Sequence, residues 1–537
     1  MPSALASIPS SSTFSRFARL SLLSSALVLA ACSTLPPYQP QPVEYAFHTP
    51  TDQTSLAQLV LPLREQYPEL TGYHVLHDPL EALAARLHLI ERAEKTLDLQ
   101  YYIWDKDKIG KLALDAIIRA ADRGVKVRLL VDDMNSKNMQ ASYLALDQHI
   151  NIDVRLYNPH RFRNLRAMDM ILDLKRINRR MHNKSFIADN QISLIGGRNM
   201  GDMYYNISDQ YQFADVDVML VGYASDEIIH SFDEYWNDDY AYPVASIVDY
   251  RKFSLRFPEL REELTQHAHD THVQNYLDLA SRSKAFENWL NQEIRFDWVK
   301  ADVVKDSPSK IKQKATKEQH LNFQLLSHLD KPQQSVDIVS AYFVPEKEGA
   351  ERLIGLAERG VKVRVLTNSY QANDVPLVHA FYAKYRKELL KGDVKLYEFL
   401  SAPENAEMAH INEELAEKTK VSLKGLSHSS LHAKMMALDE SQVFIGSFNF
   451  DPRSAYLNTE IGVLLHSPNL ARGIHHTMDN DLKKYAYKLV LDANENINWR
   501  LARSQQEPKV YLKEPKMKWW EKAGIKIVSW LPIEKFM

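Results

Sequence analysis

A histidine, a lysine and an aspartate recur in this chain with one spacing, His-x-Lys-x4-Asp, and a glycine turn and an asparagine follow at the same offset. The first copy contains His182, Lys184, Asp189, Gly196, Gly197 and Asn199, and the second contains His432, Lys434, Asp439, Gly446, Ser447 and Asn449. Chance does not explain a match at five positions between copies that are 250 residues apart. The repeat indicates a duplicated unit that carries chemistry.

These residue types suit the chemistry of a phosphodiester. Lysine and asparagine side chains can hold the non-bridging oxygens and stabilise the charge on a five-coordinate phosphorus. One imidazole can attack phosphorus while a second protonates the departing alkoxide. Because the two histidines must then be in opposite protonation states, the pattern predicts one site to which both copies contribute. The alternative is a pair of solvent-exposed hairpins left by a duplication, without a chemical role.

Each motif is predicted to form a β-hairpin. Apolar-leaning runs at 185–188 and 192–195 flank Asp189, and similar runs flank Asp439. A histidine and a lysine two residues apart share one face of a strand. The two aspartates lie at an odd offset, at the turn, and are therefore predicted to be structural carboxylates. The glycines of the turns are expected to let the backbone approach a ligand closely.

The repeat extends to the elements that would position these hairpins. Residues 96–104 and 121–130 have counterparts at 335–343 and 357–366. Each pair reads as a strand, a helix ending at a glycine, and a second strand. Such units predict an α/β fold of two pseudo-symmetric lobes, each a mixed, largely parallel sheet flanked by helices, with the site at the lobe interface. The predicted divisions are a first lobe at 51–245, an insertion or linker at 246–320, a second lobe at 321–500 and a tail at 501–537.

The two motifs resemble the duplicated HxKx4Dx6GSxN signature of the phospholipase D superfamily. Within it, the segments 176–186, 196–202, 215–217 and 530–534 resemble bacterial cardiolipin synthases of the C type, and the similarity runs from about residue 75 to the C-terminus. One departure is visible in the first copy. It has Gly-Gly-Arg where the family has Gly-Ser-x, so the hydroxyl of Ser447 has no counterpart there.

The resemblance implies a phosphatidyltransferase that makes cardiolipin from phosphatidylglycerol, with phosphatidylethanolamine as a further donor, through a covalent phosphatidyl-histidine. His182 would be the nucleophile and His432 the acid and base, although the symmetry of the motifs leaves their order open. The phosphoryl oxygens would be held by Lys184, Lys434, Asn199 and Asn449, with help from Ser447. No cofactor or metal is expected, because cationic side chains stabilise the charge and no cluster has metal-ligand spacing.

Two further carboxylates stand in apolar strands, where an unpaired acid is costly to bury. By similarity to the family, Asp217 and Glu460 would each orient a catalytic histidine and stabilise its positive form. The alternative is that these acids bind structural arginines.

Three other functions remain compatible with the motifs. A phospholipase D would use water in the second step, a nuclease would cleave nucleic acid, and a lipid-binding protein would not catalyse. A net charge of −3 and a pI near 6.7 do not favour a nucleic-acid partner. The sequence does not indicate whether an accessory protein is needed.

A cluster of basic residues precedes the first histidine: Arg161, Arg163, Arg166, Lys175, Arg176, Arg179 and Arg180. We expect a cationic rim that holds anionic headgroups beside the cleft, with Arg179 and Arg180 in contact with substrate. The alternative is a solvated helix face.

The N-terminus resembles a bacterial lipoprotein signal. Residues 1–31 contain Arg16, Arg19 and a run of about 12 apolar residues, too short for a permanent membrane span. Cys32, the only cysteine, is the predicted lipidation site, and 32–50 would be a proline-rich tether. Ser33 is typical of outer-membrane sorting, which predicts a lipid-anchored protein on the periplasmic side of the envelope. Cardiolipin synthesis is usually associated with the inner membrane, so the inner membrane is the alternative. The C-terminal tail mixes lysines with Trp519, Trp520 and Trp530, which suits either a membrane interface or a docked helix.

Overall fold

The computed structural model describes residues 35, 37–208, 212–281, 295–329, 331–401, 429–480, 482–503, 506–530 and 533–534. The predicted signal peptide and the predicted lipidation site, Cys32, lie outside these residues. No helix in the described ranges is both long enough and apolar enough to cross a bilayer.

The first lobe is built on a nine-stranded sheet with the order β10-β1-β8-β6-β5-β2-β3-β4-β9. Its strands are β1 (Thr71–Leu76), β2 (Thr96–Tyr101), β3 (Lys126–Asp132), β4 (Ile152–Tyr157), β5 (Ser185–Ala188), β6 (Ile192–Gly196), β8 (Asp217–Gly222), β9 (Ala241–Pro243) and β10 (Asp297–Val299). A short strand, β7 (Gln212–Ala214), lies outside this sheet, at the contact between the lobes.

The second lobe is built on a ten-stranded sheet with the order β11-β18-β17-β16-β12-β13-β14-β19-β20-β21. Its strands are β11 (Ala301–Lys305), β12 (Ser335–Ser340), β13 (Lys362–Asn368), β14 (Lys395–Phe399), β16 (Lys434–Leu438), β17 (Gln442–Gly446), β18 (Ile461–Leu465), β19 (Ala486–Leu491), β20 (Ile497–Arg503) and β21 (Gln506–Tyr511). β15 (Ser429–Leu431) pairs with β7 in parallel across the lobes.

The two-lobed α/β fold agrees with the prediction, but the parallel part of each sheet is smaller than expected. Only β2-β3-β4 and β12-β13-β14 run parallel, and the remaining neighbours within each sheet are antiparallel. The physical reason is that the motif hairpins β5-β6 and β16-β17 insert antiparallel beside the parallel strands. The mixed sheet places the start of each hairpin next to the carboxyl ends of the parallel strands.

Helices join the strands and pack on both faces of the sheets. They are α1 (Ser55–Gln66), α2 (Pro79–Arg92), α3 (Lys108–Asp122), α4 (Gln140–Leu146), α5 (Ala167–Leu172), α6 (Leu174–Ile177), α7 (Tyr223–Trp236), α8 (Val244–Ile247), α9 (Phe257–Ala268), α10 (Thr271–Ser281), α11 (Leu321–Leu329), α12 (Glu346–Glu358), α13 (Pro376–Lys391), α14 (Pro452–Tyr456), α15 (Pro468–Asn480), α16 (Leu482–Tyr485) and α17 (Trp519–Val528). Helices α7 and α15 lie in the apolar cluster between the lobes. The corresponding helices α3 and α12 both end just before a glycine with positive φ, Gly124 and Gly360, as the repeat predicts.

The lobes share a hydrophobic core. Successive residues of a strand point to opposite faces, so Val218 and Leu220 of β8 join residues of the second lobe, such as Ile445 and Val463, in one buried cluster. Met219 and Val221 point to the separate core of the first lobe. The interface is therefore apolar and continuous, which fixes one sheet against the other.

The predicted insertion and tail are integrated into the sheets. The segment 246–320 supplies an edge strand to each lobe, β10 to the first and β11 to the second. The tail contributes the end of β20 and all of β21, and Glu514 accepts a hydrogen bond from Arg386 at 2.7 Å. At its end, Trp519, Trp520 and Trp530 are 78%, 52% and 74% exposed. The tail helix is docked, yet its indoles face solvent.

The motif aspartates stabilise the turns of the two hairpins. Asp189 accepts hydrogen bonds from the backbone N–H groups of Glu94, Lys95 and Thr96 at 2.7–3.2 Å. Asp439 accepts the equivalent bonds from residues 333–335. Each carboxylate thus holds the start of the neighbouring central strand against its hairpin, and neither carboxylate contacts His182 or His432.

Candidate active site

Each motif histidine precedes the first strand of its hairpin and is held by backbone of the opposite lobe. The N–H of His182 donates to the carbonyl of Thr459 at 2.9 Å, and the N–H of His432 donates to the carbonyl of Ala214 at 2.7 Å. The parallel pairing of β7 with β15 between the lobes brings His432 to the carbonyl of Ala214. Both histidines consequently lie at the lobe interface, where the carboxyl ends of the parallel strands converge.

The side chains repeat this exchange between lobes. His182 Nδ1 lies 2.8 Å from Glu460 Oε2, and His432 Nδ1 lies 2.5 Å from Asp215 Oδ2. A carboxylate at Nδ1 favours the tautomer in which this nitrogen carries hydrogen and donates, and it leaves Nε2 available for another partner. Each lobe therefore supplies the acid that orients the histidine of the other lobe.

The prediction that Asp217 orients a histidine is wrong. Asp217 accepts a hydrogen bond from Arg86 at 2.8 Å, and Arg198 lies 3.4 Å away. Asp217 is the first residue of β8 and its side chain points into the lobe, toward these buried guanidinium groups. The alternative given for this acid, an ion pair with a structural arginine, is the one observed.

The register of the strands explains why Asp215, and not Asp217, orients the histidine. Gly196 is opposite Asp217 in the first sheet, and Gly446 is opposite Gly462 in the second. Two positions before Asp217 is Asp215, and two positions before Gly462 is Glu460. Aligning the apolar strands at 218–221 and 463–465 pairs Asp215 with Glu460 and would have identified Asp215 in the sequence.

The motif glycines make room for the acid-bearing strands rather than for a ligand. A Cβ atom on Gly197 would lie 2.2 Å from Asp215 Oδ1, and one on Gly196 would lie 2.2 Å from Asp217 Oδ1. A Cβ atom on Gly446 would meet the carbonyl of Ile461 at 2.5 Å. The glycines do allow a close approach of the backbone, but the neighbouring group is another strand of the protein and not a ligand. The shorter acid of the first lobe needs a glycine at this position.

The side chain of Ser447 also contacts an acid rather than a ligand. Its hydroxyl donates to Glu460 Oε2 at 2.5 Å and accepts from the N–H of Ile461 at 3.1 Å. The predicted assistance to the phosphoryl oxygens is therefore corrected, because the hydroxyl is already used. Glu460 is held by this serine, and the N–H of Glu460 donates to Asp306 at 2.9 Å.

Both motif lysines are buried beside their histidines. Lys184 Nζ donates to the carbonyl of His182 at 2.6 Å, and Lys434 Nζ donates to the carbonyl of His432. Lys434 Nζ also lies 3.0 Å from His432 Nδ1. Because a protonated Nδ1 cannot accept a hydrogen bond, the shorter contact with Asp215 makes donation to the acid the better assignment. Each ammonium retains protons for a further acceptor.

The two asparagines differ in their surroundings. Asn199 accepts from the N–H of Ile103 at 3.0 Å and donates to the hydroxyl of Tyr204 at 2.8 Å. The side-chain oxygen of Asn449 is buried and, among the described residues, has no hydrogen-bond partner. Aromatic rings that the sequence analysis did not single out pack on the histidines: Tyr102 is centred 4.9 Å from His182, and Tyr204 is centred 5.3 Å from His432.

Burial sets the protonation of the site. It lowers the pKa of His182 well below its usual value, and the charges of Lys184 and Lys434 lower it further. The pKa of His432 is also lowered by burial and Lys434, but Asp215 opposes the shift. Charges from the opposite motif affect both histidines, which indicates that the two copies are electrostatically coupled.

The two partner acids are shifted in opposite directions. Burial raises the pKa of Glu460 to about 7, against the opposing charge of Lys184. Burial would also raise the pKa of Asp215, but His432 and Lys434 hold it below its usual value. Burial lowers the pKa of Lys184 to about 7. His432 thus faces a firmly ionised acid, which favours its protonated form, whereas His182 faces an acid that is partly neutral near pH 7.

The predicted cationic rim is largely an internal network of ion pairs. Arg180 is fully buried and donates to both oxygens of Asp132, so it is not available to substrate. Arg179 is half-buried and donates to the carbonyl of Tyr456 at 2.9 Å. The remaining arginines bind Asp133 or Asp173: Arg161, Arg163, Arg166 and Arg176. Lys175 is exposed.

Within the described ranges, no group of three or more His, Cys, Asp or Glu side chains is arranged to hold a metal ion. The arrangement offers two oriented imidazoles, two buried lysine side chains and two amides at one interface. This set can bind and attack a tetrahedral anion.

Comparison with known proteins places the chain in a family. The family model described as "Cardiolipin synthase, PLD-like domain" matches residues 87–236 and 325–482, more than half of the chain. The protein therefore belongs to this phospholipase D-like family and is an enzyme of the phosphatidyltransferase class. The two matched ranges fall on the two lobes.

Individual relatives agree with this assignment. Cardiolipin synthase C of Escherichia coli K12 is 39% identical over 480 residues, which cover 89% of this chain and 99% of that protein. An uncharacterized protein of Helicobacter pylori 26695 is 29% identical over 476 residues, covering 86% of this chain and 89% of that protein. The structure of phosphatidylserine synthase from Haemophilus influenzae Rd KW20 has a TM-score of 0.52 at 14% identity, covers 89% of this chain and 99% of its own, and shows the same fold.

Proposed function

We propose that the protein makes cardiolipin by transferring a phosphatidyl group to the headgroup hydroxyl of phosphatidylglycerol, by way of a phosphatidyl-histidine. The donor is a second phosphatidylglycerol, or phosphatidylethanolamine. The observation that carries the proposal is the exchange of acids between lobes, because it orients two imidazoles toward one interface. The 39% identity to a cardiolipin synthase supports the lipid class.

In the first step, Nε2 of His182 attacks phosphorus and a nitrogen–phosphorus bond forms. The bond from phosphorus to the headgroup oxygen breaks, and Nε2–H of His432 gives its proton to the departing alcohol. Lys184 and Lys434 stabilise the non-bridging oxygens, and Asn199 and Asn449 complete the clamp. The strongly lowered pKa of His182 and the ionised Asp215 beside His432 support this order of the histidines.

In the second step, the neutral His432 takes the proton from the hydroxyl of the acceptor lipid. The acceptor oxygen bonds to phosphorus while the nitrogen–phosphorus bond breaks, which restores His182. With phosphatidylglycerol in both steps, the products are cardiolipin and glycerol. Glu460 stabilises the positive charge that His182 acquires when it is bonded to phosphorus.

The predicted location completes the proposal. A lipidated Cys32 would tether the enzyme to the periplasmic side of the envelope, at the outer membrane, and the exposed tryptophans of the tail would rest at headgroup level.

Product analysis on phosphatidylglycerol vesicles tests the function. Purified protein should convert phosphatidylglycerol to cardiolipin with release of glycerol, and phosphatidic acid alone would identify a hydrolase instead. His182→Ala and His432→Ala should each reduce turnover below about 1% of wild type while the thermal unfolding transition is retained. Substantial residual turnover in either variant would contradict a shared site.

A further inference from the structure

Five large aliphatic side chains are exposed within ten residues, just before the first motif histidine. Leu165, Met170, Ile171, Leu172 and Leu174 are 68%, 43%, 74%, 48% and 42% exposed. They lie on or beside helix α5, and we call them the α5 patch. Isolated exposed leucines are ordinary, but a contiguous set of this kind indicates a binding surface.

The polar side chains of this segment are turned inward. Asp169 is fully buried, and its Oδ2 lies 2.8 Å from Nδ1 of His160. Arg163 and Arg166 reach back to Asp133, which follows β3 directly. The segment is therefore held firmly at its base while its aliphatic residues face solvent. This is the reverse of the orientation expected for a helix that covers its own core.

The topology places the α5 patch at the edge of the sheet that carries the site. Helix α5 follows the carboxyl end of β4, and β4 runs parallel to β3 and β2. β5 is antiparallel to β2, so His182, just before β5, lies at the same edge. Arg180 binds Asp132 at the end of β3 and thus ties the chain between α6 and His182 to this edge.

We infer that the α5 patch enters the surface of an anionic phospholipid bilayer and brings the mouth of the site to the headgroups. The inference rests on the proposed function, in which the substrate phosphate belongs to a lipid whose acyl chains remain in the bilayer. Leucine, isoleucine and methionine suit the acyl boundary, whereas protein-binding hot spots favour Trp, Tyr and Arg. The exposed Lys175 beside the patch complements anionic headgroups.

Vesicle binding tests the inference independently of catalysis. The chain from residue 32 onward with Cys32→Ser, which carries neither the predicted signal peptide nor an acyl anchor, is sedimented with vesicles of phosphatidylglycerol and phosphatidylcholine. The double variant Ile171→Asp/Leu172→Asp should partition at least about tenfold more weakly, because two aliphatic groups no longer leave water. The matched control is Ile150→Asp, which alters a 95% exposed isoleucine just before β4, at the opposite edge of the sheet. This control should bind vesicles as the parent does.

A turnover measurement separates this surface from the site itself. On dihexanoyl phosphatidylglycerol dispersed below its micelle concentration, the double variant should turn over substrate at the parent rate. On vesicles, its turnover rate should fall by about the same factor as its vesicle binding. Parental vesicle binding by the double variant would overturn the inference, as would equal loss of turnover on the dispersed lipid. A dimer in the parent that the double variant abolishes would assign the patch to a second copy instead. If the parent turns over neither lipid, the proposed function fails while the binding result stands.

Discussion

At the scale of single residues, the site depends on which carboxylate reaches which histidine. Asp215 and Asp217 are two positions apart in the same segment, yet one contacts an imidazole of the other lobe and the other contacts guanidinium groups of its own lobe. Residues on successive same-face positions normally share an environment. Here β8 begins at Asp217, so Asp215 lies before the strand and is free to cross the interface.

The two acids should respond differently to the same substitution. Asp215→Asn removes the charge that stabilises protonated His432, so the pKa of His432 should fall and the alkaline limb of the pH–rate profile should move to lower pH. We expect kcat to fall by about 100-fold, within the range for loss of general acid catalysis. The measurement is the pH dependence of cardiolipin formation.

Asp217→Asn is the matched control. It leaves Arg86 and Arg198 buried without their carboxylate, which costs about 3–5 kcal/mol of unfolding free energy. The pH–rate profile of the protein that remains folded should keep its position. A shift of the profile with Asp217→Asn, or none with Asp215→Asn, would contradict the assignment of the acids.

At the scale of elements, the hairpins were predictable because their signals are local. The apolar runs, the aspartate turns and the alternation of faces predicted β5-β6 and β16-β17, and the repeat predicted the strand–helix–strand units around Gly124 and Gly360. The exchange between lobes was not predictable from spacing. It depends on β7 and β15, two strands of three residues each whose pairing partners are far apart in the chain.

The turn aspartates belong to this scale. Asp189→Ala leaves the backbone N–H groups of Glu94, Lys95 and Thr96 without their acceptor, so the free energy of unfolding should fall by about 2–4 kcal/mol. Chemical denaturation measures the loss. Asp302→Ala alters an exposed acid on the edge strand β11 whose carboxylate lies 2.7 Å from His466, and it should change stability by less than about 0.5 kcal/mol. Equal effects of the two substitutions would show that the turn carboxylate does not hold the central strand.

At the scale of the whole molecule, two lobes form one enzyme because each is incomplete alone. The apolar cluster between the sheets fixes their relative position, and the exchanged acids complete both histidines only when the lobes are joined. Duplication supplied equivalent parts, and small differences made them unequal. The two imidazoles have different proton affinities because their partner acids differ. One lobe supplies Asp215 beside Gly197, and the other supplies Glu460 beside Ser447.

Trapping the covalent intermediate tests this account most directly. The His432→Ala variant is mixed with a phosphatidyl donor that carries a p-nitrophenyl leaving group, which needs no proton to depart, and the quenched protein is mapped by mass spectrometry. The phosphatidyl group should accumulate on the peptide that contains His182, because activation of the acceptor is lost, and His182→Ala should yield no adduct. An adduct on His432 in the His182→Ala variant, or none in either protein, would contradict a single site in which His182 attacks and His432 transfers the proton.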